Sequence, residues 1–144
     1  MTEASRRLRV FLDANVLFAA LWNGEGLPRR LIGRADVFAI LTCDLAVEEA
    51  RRNLAAKKPE AVAELAMVCA TLVVTGTVFQ GLAIPLNDKD KPIFYSAKAC
   101  RADVLLTGDK GFRDVAAAEA GRGLEVLTPR EFYERYVRPP ASLD

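Results

Sequence analysis

The chain contains no histidine. That removes the commonest general base and the commonest transition-metal ligand. A Ser-His-Asp triad and histidine-based zinc sites are excluded with it. Any metal must then sit among oxygen ligands, which points to Mg²⁺ or Mn²⁺. Cysteine is scarce as well. Cys43, Cys69 and Cys100 are odd in number, far apart and form no C-x-x-C pair. They read as free thiols of a reducing cytoplasm, not as a disulfide framework. Net charge is nearly absent at +1, so contact with nucleic acid has to come from a local basic patch. Nothing in the chain reaches the roughly 18 uninterrupted apolar residues that cross a membrane. The opening "MTEASRRLRVFLDANVLFAALW" has the basic start and apolar stretch of a signal peptide. Asp13 and Asn15 interrupt that stretch and no small-x-small cleavage site follows, so a cytoplasmic protein without membrane contact is expected.

The chain of 144 residues is 51% hydrophobic and 27% charged, which suits one domain with a sizeable buried core. Residues 1–138 are expected to form that domain, with 139–144 as a frayed tail. "LRVFL" (8–12) predicts a short buried strand, followed by an apolar helical run through Trp22. "NGEG" (23–26) is a turn, and 27–35 a short helix with Pro28 near its start. "VFAILT" (37–42) predicts a strand and 43–57 an amphipathic helix with Thr42 as N-cap. A helix over 60–70 and a strand over 71–79 come next. "IPLNDKDKP" (84–92) is a polar loop leading into a helix from about Pro92 to Arg101. A strand (103–107), a loop (108–112), a short helix and a strand (124–128) precede the last helix. There Thr128, Pro129 and Glu131 have the spacing of a capping box. Strands alternating with helices predict an α/β domain whose parallel sheet is covered on both faces. Ligands of such sheets bind outside the carboxyl ends of the strands.

Four acids fall where that rule looks for a site. Asp13 follows the first strand, and Asp109 stands two residues after "VLLT". On the helix over 43–57, Glu49 shares a face with Leu45, Ala46, Ala50 and Asn53, so it points inward. Its neighbour Glu48 lies beside Asp44, Arg51 and Arg52 on the solvated side. Asp90 stands just ahead of Pro92, at the start of a helix. Each has an ordinary structural explanation: a turn residue for Asp13 and Asp109, snorkelling for Glu49, an N-cap for Asp90. Together they are more telling. Four carboxylates at equivalent ends of α/β elements repel one another, and a divalent cation is the natural compensation.

On these residues the chain resembles the PIN-domain ribonucleases, in particular small prokaryotic stand-alone members akin to VapC-type toxins. The matching pieces are "VFLDANVLFAAL", "LAVEEARRNL", "NDKDKPIFYSAKACRADVLLTGDKGF" and "LEVLTPREFYERY", in order and across nearly the whole chain. The resemblance implies a three-layer α/β/α PIN-like domain with a central parallel sheet. It implies Mg²⁺ or Mn²⁺ and phosphodiester hydrolysis in single-stranded RNA. Asp13, Glu49, Asp90 and Asp109 match the family's catalytic, metal-holding acids, and Asn15 and Thr107 its supporting polar positions. Asn87 is neutral where relatives often carry another acid, and Asp88 and Asp114 are candidate helpers. A cognate antitoxin and a homodimer are partners that the resemblance brings with it.

Cations for an RNA backbone are available at Arg29, Arg30, Arg51, Arg52, Lys89, Lys91, Lys110 and Arg113. Arg51 and Arg52 follow Glu49, and Lys110 follows Asp109, so these three are the RNA-binding candidates, set against plain surface charge. Two other functions fit parts of the pattern. A haloacid dehalogenase-like phosphatase also carries D-x-D after its first strand, but here the second acid is Asn15. A non-catalytic PIN module binding RNA or protein would not need all four acids.

Overall fold

The computed structural model describes residues 6–137. Its frame is a sheet of five strands: β1 (Leu8–Leu12), β2 (Phe38–Cys43), β3 (Val73–Thr75), β4 (Val104–Leu106) and β5 (Glu125–Leu127). Their order is β3-β2-β1-β4-β5 and every pairing is parallel. Val10 of β1 sits in register with Ile40 on one side and Val104 on the other. Val10, Phe11 and Leu12 are consecutive, so they point to opposite faces, yet all are at most 1% exposed. Both faces of the sheet are therefore covered, as unbroken apolar strands require. Among the described residues the cover is seven α-helices: α1 (Ala14–Trp22), α2 (Leu27–Ile32), α3 (Asp44–Lys57), α4 (Val62–Cys69), α5 (Lys91–Ala99), α6 (Lys110–Ala120) and α7 (Pro129–Phe132). The parallel sheet expected from the alternation, and the three-layer α/β/α architecture that the resemblance implies, are the ones observed.

Parallel strands one chain-crossing apart place all their carboxyl ends on one edge. β1 and β4 are neighbours at the centre, so the residues leaving them, Asp13 and Thr107–Asp109, emerge side by side. The capping box also forms. Thr128 Oγ1 accepts from the Glu131 N–H, and Glu131 accepts from the Thr128 N–H.

Several expectations are corrected. Thr42 does not cap α3, because it remains inside β2 and its hydroxyl donates to the Leu12 carbonyl at 2.8 Å. Cys43 takes the cap position without a side-chain bond. The third strand is shorter than 71–79. Beyond Gly76 the chain leaves the sheet, with the Thr77 hydroxyl accepting from Leu45 N–H and Val78 N–H donating to Ser96 Oγ. The 60–70 helix is preceded by a 3-10 turn over Pro59–Ala61. α6 starts at Lys110, inside the predicted 108–112 loop. α7 widens into a π-helical turn over Tyr133–Val137. Residue 138 and the 139–144 tail lie outside the described residues. Among those described, no helix is long and apolar enough to cross a membrane.

Candidate active site

Asp13 is the first residue past β1 and the N-cap of α1. Its N–H donates to the Leu106 carbonyl at 2.9 Å, so β1 stays paired to β4 up to the carboxylate itself. Oδ1 accepts from Ala14 N–H at 2.7 Å. Oδ2 accepts from the Thr107 hydroxyl at 2.8 Å and from Asn15 Nδ2 at 3.2 Å. Asn15 Nδ2 also reaches Thr107 Oγ1 at 3.2 Å, and its Oδ1 accepts from Gly108 N–H at 2.8 Å. Asp109 N–H donates to Thr107 Oγ1 at 3.1 Å. Asn15 and Thr107 thus form a strut between the ends of β1 and β4, orienting an acid on each. Asp109 caps α6 through Oδ1, which accepts from Phe112 N–H at 3.1 Å.

Asp90 occupies the N-cap position of α5, but its backbone is helical (φ −90°, ψ −23°) and its side chain caps nothing. The ordinary explanation of Asp90 as an N-cap therefore does not hold, and the carboxylate is left for another use. The adjacent glutamates separate as helical spacing predicts. Glu48 accepts from Arg51 at 2.8 and 2.5 Å. The Glu49 side chain is only 27% exposed and faces Lys89, whose Nζ is 3.9 Å away.

Asp13, Glu49, Asp90 and Asp109 line one cavity of about 170 Å³. Asn15, Asn53, Phe18, Lys57 and Lys89 complete its wall. Asp13 is 6% exposed. Burial pushes its carboxyl up to about 6, and the charges of Asp90 and Glu49 push the same way, against the bonds from Thr107 and Ala14. Asp90 is also raised, first by burial and then by the charge of Asp109.

The donor set suits a hard divalent cation, being carboxylate oxygen throughout. Asp13 Oδ1 keeps one lone pair beyond its cap bond, and the Asp90 carboxylate is not used in capping. Among the described residues, no three acids close on a single point as a ready-made cage.

The cationic candidates are dispersed. Arg51 is turned onto Glu48. Arg52 lines an adjoining groove with Glu49, Asp88 and Lys89. Lys110 lines a separate pocket with Arg113, Thr128 and Glu131. Asp114 pairs with Arg113, and Asp88 with Lys91. Sequence reasoning missed Lys57 and Phe18. A signal existed for each. Glu49, Asn53 and Lys57 recur every fourth residue along α3, and Asn15 and Phe18 lie three apart on α1, so each set shares one face.

No family model matches the chain, and no curated protein does. Among solved structures, 17 chains match. One is VapBC2 from Rickettsia felis bound to a DNA fragment from their promoter, with 16% identity, a TM-score of 0.61, and 83% of this chain and 97% of that chain covered. Another is PAE2754 from Pyrobaculum aerophilum, with 17% identity, a TM-score of 0.51, and 83% of this chain and 89% of that chain covered. At these identities the likeness shows the fold. It is the three-layer α/β/α, PIN-like fold that the sequence motifs resemble.

Proposed function

We propose that the chain is a divalent-metal-dependent endoribonuclease that hydrolyses phosphodiester bonds in single-stranded RNA. We further propose that it is the toxin half of a toxin–antitoxin pair, acting in the cytoplasm. One observation carries this reading: the buried Asp13 carboxylate shares a single cavity with Glu49, Asp90 and Asp109 at the carboxyl edge of a parallel sheet. An apolar fold that gathers four acids there bears a repulsion which stability does not explain. Bound Mg²⁺ or Mn²⁺ would offset that repulsion, polarise the scissile phosphate and supply an activated water.

The protein's own part is positioning. The Thr107–Asn15 strut holds Asp13 and Asp109 at a fixed separation, so the two acids need no reorganisation when substrate arrives. Glu49 and Asp90 face them from α3 and the start of α5. Lys57 and Lys89, on the same wall, neutralise the substrate backbone as it enters. With no histidine in the chain, no imidazole serves as base, and the resemblance to the PIN-domain ribonucleases implies that hydrolysis leaves a 5′-phosphate and a 3′-hydroxyl. The phosphatase alternative needs Asp13 as nucleophile and an acid at position 15. Both Asp13 oxygens accept bonds from the protein, and Asn15 is committed to the strut. These contacts favour an oriented ligand over a nucleophile. The likeness to VapBC2, solved with promoter DNA, supports an antitoxin partner, and a homodimer fits the same class.

Thermal melting tests the site. Saturating Mn²⁺ is expected to raise the melting temperature, since binding at a hundred times Kd stabilises the folded state by about 2.7 kcal/mol. Asp13→Asn should remove most of that rise, and an equal rise in the variant would sink the assignment. Cleavage of end-labelled single-stranded RNA by the unmodified chain, dependent on the same metal, checks the activity itself.

A further inference from the structure

The side of α1 that carries Asn15 continues outward through Phe18 to Trp22. Phe18 lines the acid cavity. Trp22, one turn further, stacks on it with ring centroids 5.6 Å apart and planes 18° from parallel. Trp22 is 51% exposed, and the burial that anchors its helix comes from other positions. Val16, Leu17, Ala20 and Leu21, each at most 1% exposed, already anchor this helix. Cations accompany both rings. Lys57 Nζ lies 5.7 Å from the Phe18 centroid and also lines the cavity. Lys58 Nζ lies 5.9 Å from the Trp22 centroid and is fixed by donating to the Leu21 and Trp22 carbonyls at 3.0 Å.

We infer that Phe18 and Trp22, flanked by Lys57 and Lys58, form a stacking shelf for a nucleobase of single-stranded RNA beside the acid cavity. The inference rests on the ribonuclease reading and adds to it where the chain of the substrate runs. Trp22 is about 13 Å along the helix from Asp13, at 1.5 Å per residue. The shelf therefore receives a base neighbouring the scissile phosphate and not the reacting nucleotide. Planar aromatic surface beside fixed positive charge matches a ligand that is flat and anionic together, which is the chemistry of single-stranded nucleic acid. The shelf joins the cavity without a break, since Phe18 and Lys57 belong to both. Stacking of this kind accepts any base, because every base has a π-face. It gives affinity and direction along the strand without sequence choice.

Trp22 is the chain's single tryptophan, so its emission reports the shelf directly. The measurement uses Asp109→Asn protein with Mg²⁺, which keeps the oligonucleotide intact. A single-stranded RNA oligonucleotide is expected to quench the emission, and an abasic backbone of equal length is not. With fluorescein-labelled RNA, Trp22→Leu should weaken binding about ten-fold, within the range of one lost base stack, and Trp22→Phe should recover most of it. In the otherwise unmodified chain, Trp22→Leu should raise KM and leave kcat nearly unchanged. Emission indifferent to RNA, with Trp22→Leu binding as its parent does, overturns the shelf and leaves Trp22 as a contact for a protein partner. Failure of the parent reading looks different: the unmodified chain would not cut RNA with any divalent metal, whatever the emission does.

Discussion

Glu49→Gln is expected to lower the rate of RNA cleavage by about a hundred-fold or more, whereas Glu48→Gln leaves it nearly unchanged. The two residues are adjacent and chemically identical, so the contrast isolates position. Glu49 faces the cavity with a quarter of its side chain exposed and has Lys89 as its ion-pair partner. Glu48 lies on the outer side of α3, held by Arg51. Even groups that only support a metal ligand are worth roughly 10–100-fold, and a ligand itself is worth at least as much. An exposed ion pair such as Glu48–Arg51 is screened by solvent and contributes little to stability, so its loss leaves the fold in place. Single-turnover cleavage with saturating Mn²⁺ measures both variants. Loss of activity in Glu48→Gln with retention in Glu49→Gln would show that the other face of the helix serves the site.

Without divalent metal, Asp13 should destabilise the fold by about 3 kcal/mol as pH rises from the acid range to neutrality. Its ordinary value is 3.8 and its folded value about 6. Between them the folded protein holds a proton that the unfolded chain has released. The folded state binds more protons, so stability falls as pH rises through this window. The penalty is absent below the lower value and complete above the upper one. Burial is its main cause, followed in the same sense by Asp90 and Glu49. Urea unfolding with EDTA at several pH values, for the parent and for Asp13→Asn, isolates this contribution from the other carboxylates. The parent should lose stability relative to the variant with rising pH, and added Mn²⁺ should offset the loss in the parent alone. Parallel curves would show that Asp13 titrates as an ordinary surface acid.

Features set by local chemistry were legible in the sequence. Asp13 ends an apolar strand, and nothing but a strand end explains a carboxylate there. Glu49 was separable from Glu48 because 3.6-residue periodicity depends on spacing alone. The capping box of Thr128 and Glu131 is a contact between near neighbours in the chain. Features set by packing were not legible. Thr42 has the chemistry of an N-cap, yet it pairs with Leu12, 30 residues away, and only the sheet brings the two together. Residues 76–79 have the composition of a strand, but Thr77 and Val78 find partners on α3 and α5. Asp90 sits where a cap belongs, and only its backbone angles show that it does not act as one. Lys57 lies on Glu49's stripe, but without the packing of α1 on α3 it reads as the basic end of a helix.

The Thr107 hydroxyl has one proton and two lone pairs, and all are engaged. It donates to Asp13 and accepts from Asn15 and from the Asp109 N–H. Its backbone N–H is bound to the Leu127 carbonyl at 3.1 Å. A single residue therefore ties the mouth of the cavity to β1, β4 and β5 together. The Asp109 N–H is held by the Thr107 hydroxyl and not by a strand carbonyl, so its amide exchange reports the opening of the Thr107–Asn15–Asp13 network at the end of β4. An inhibitor that enters this cavity meets the hydrogen-bonded strand ends on one side and the side chains of α1, α3 and the segment leading to α5 on the others.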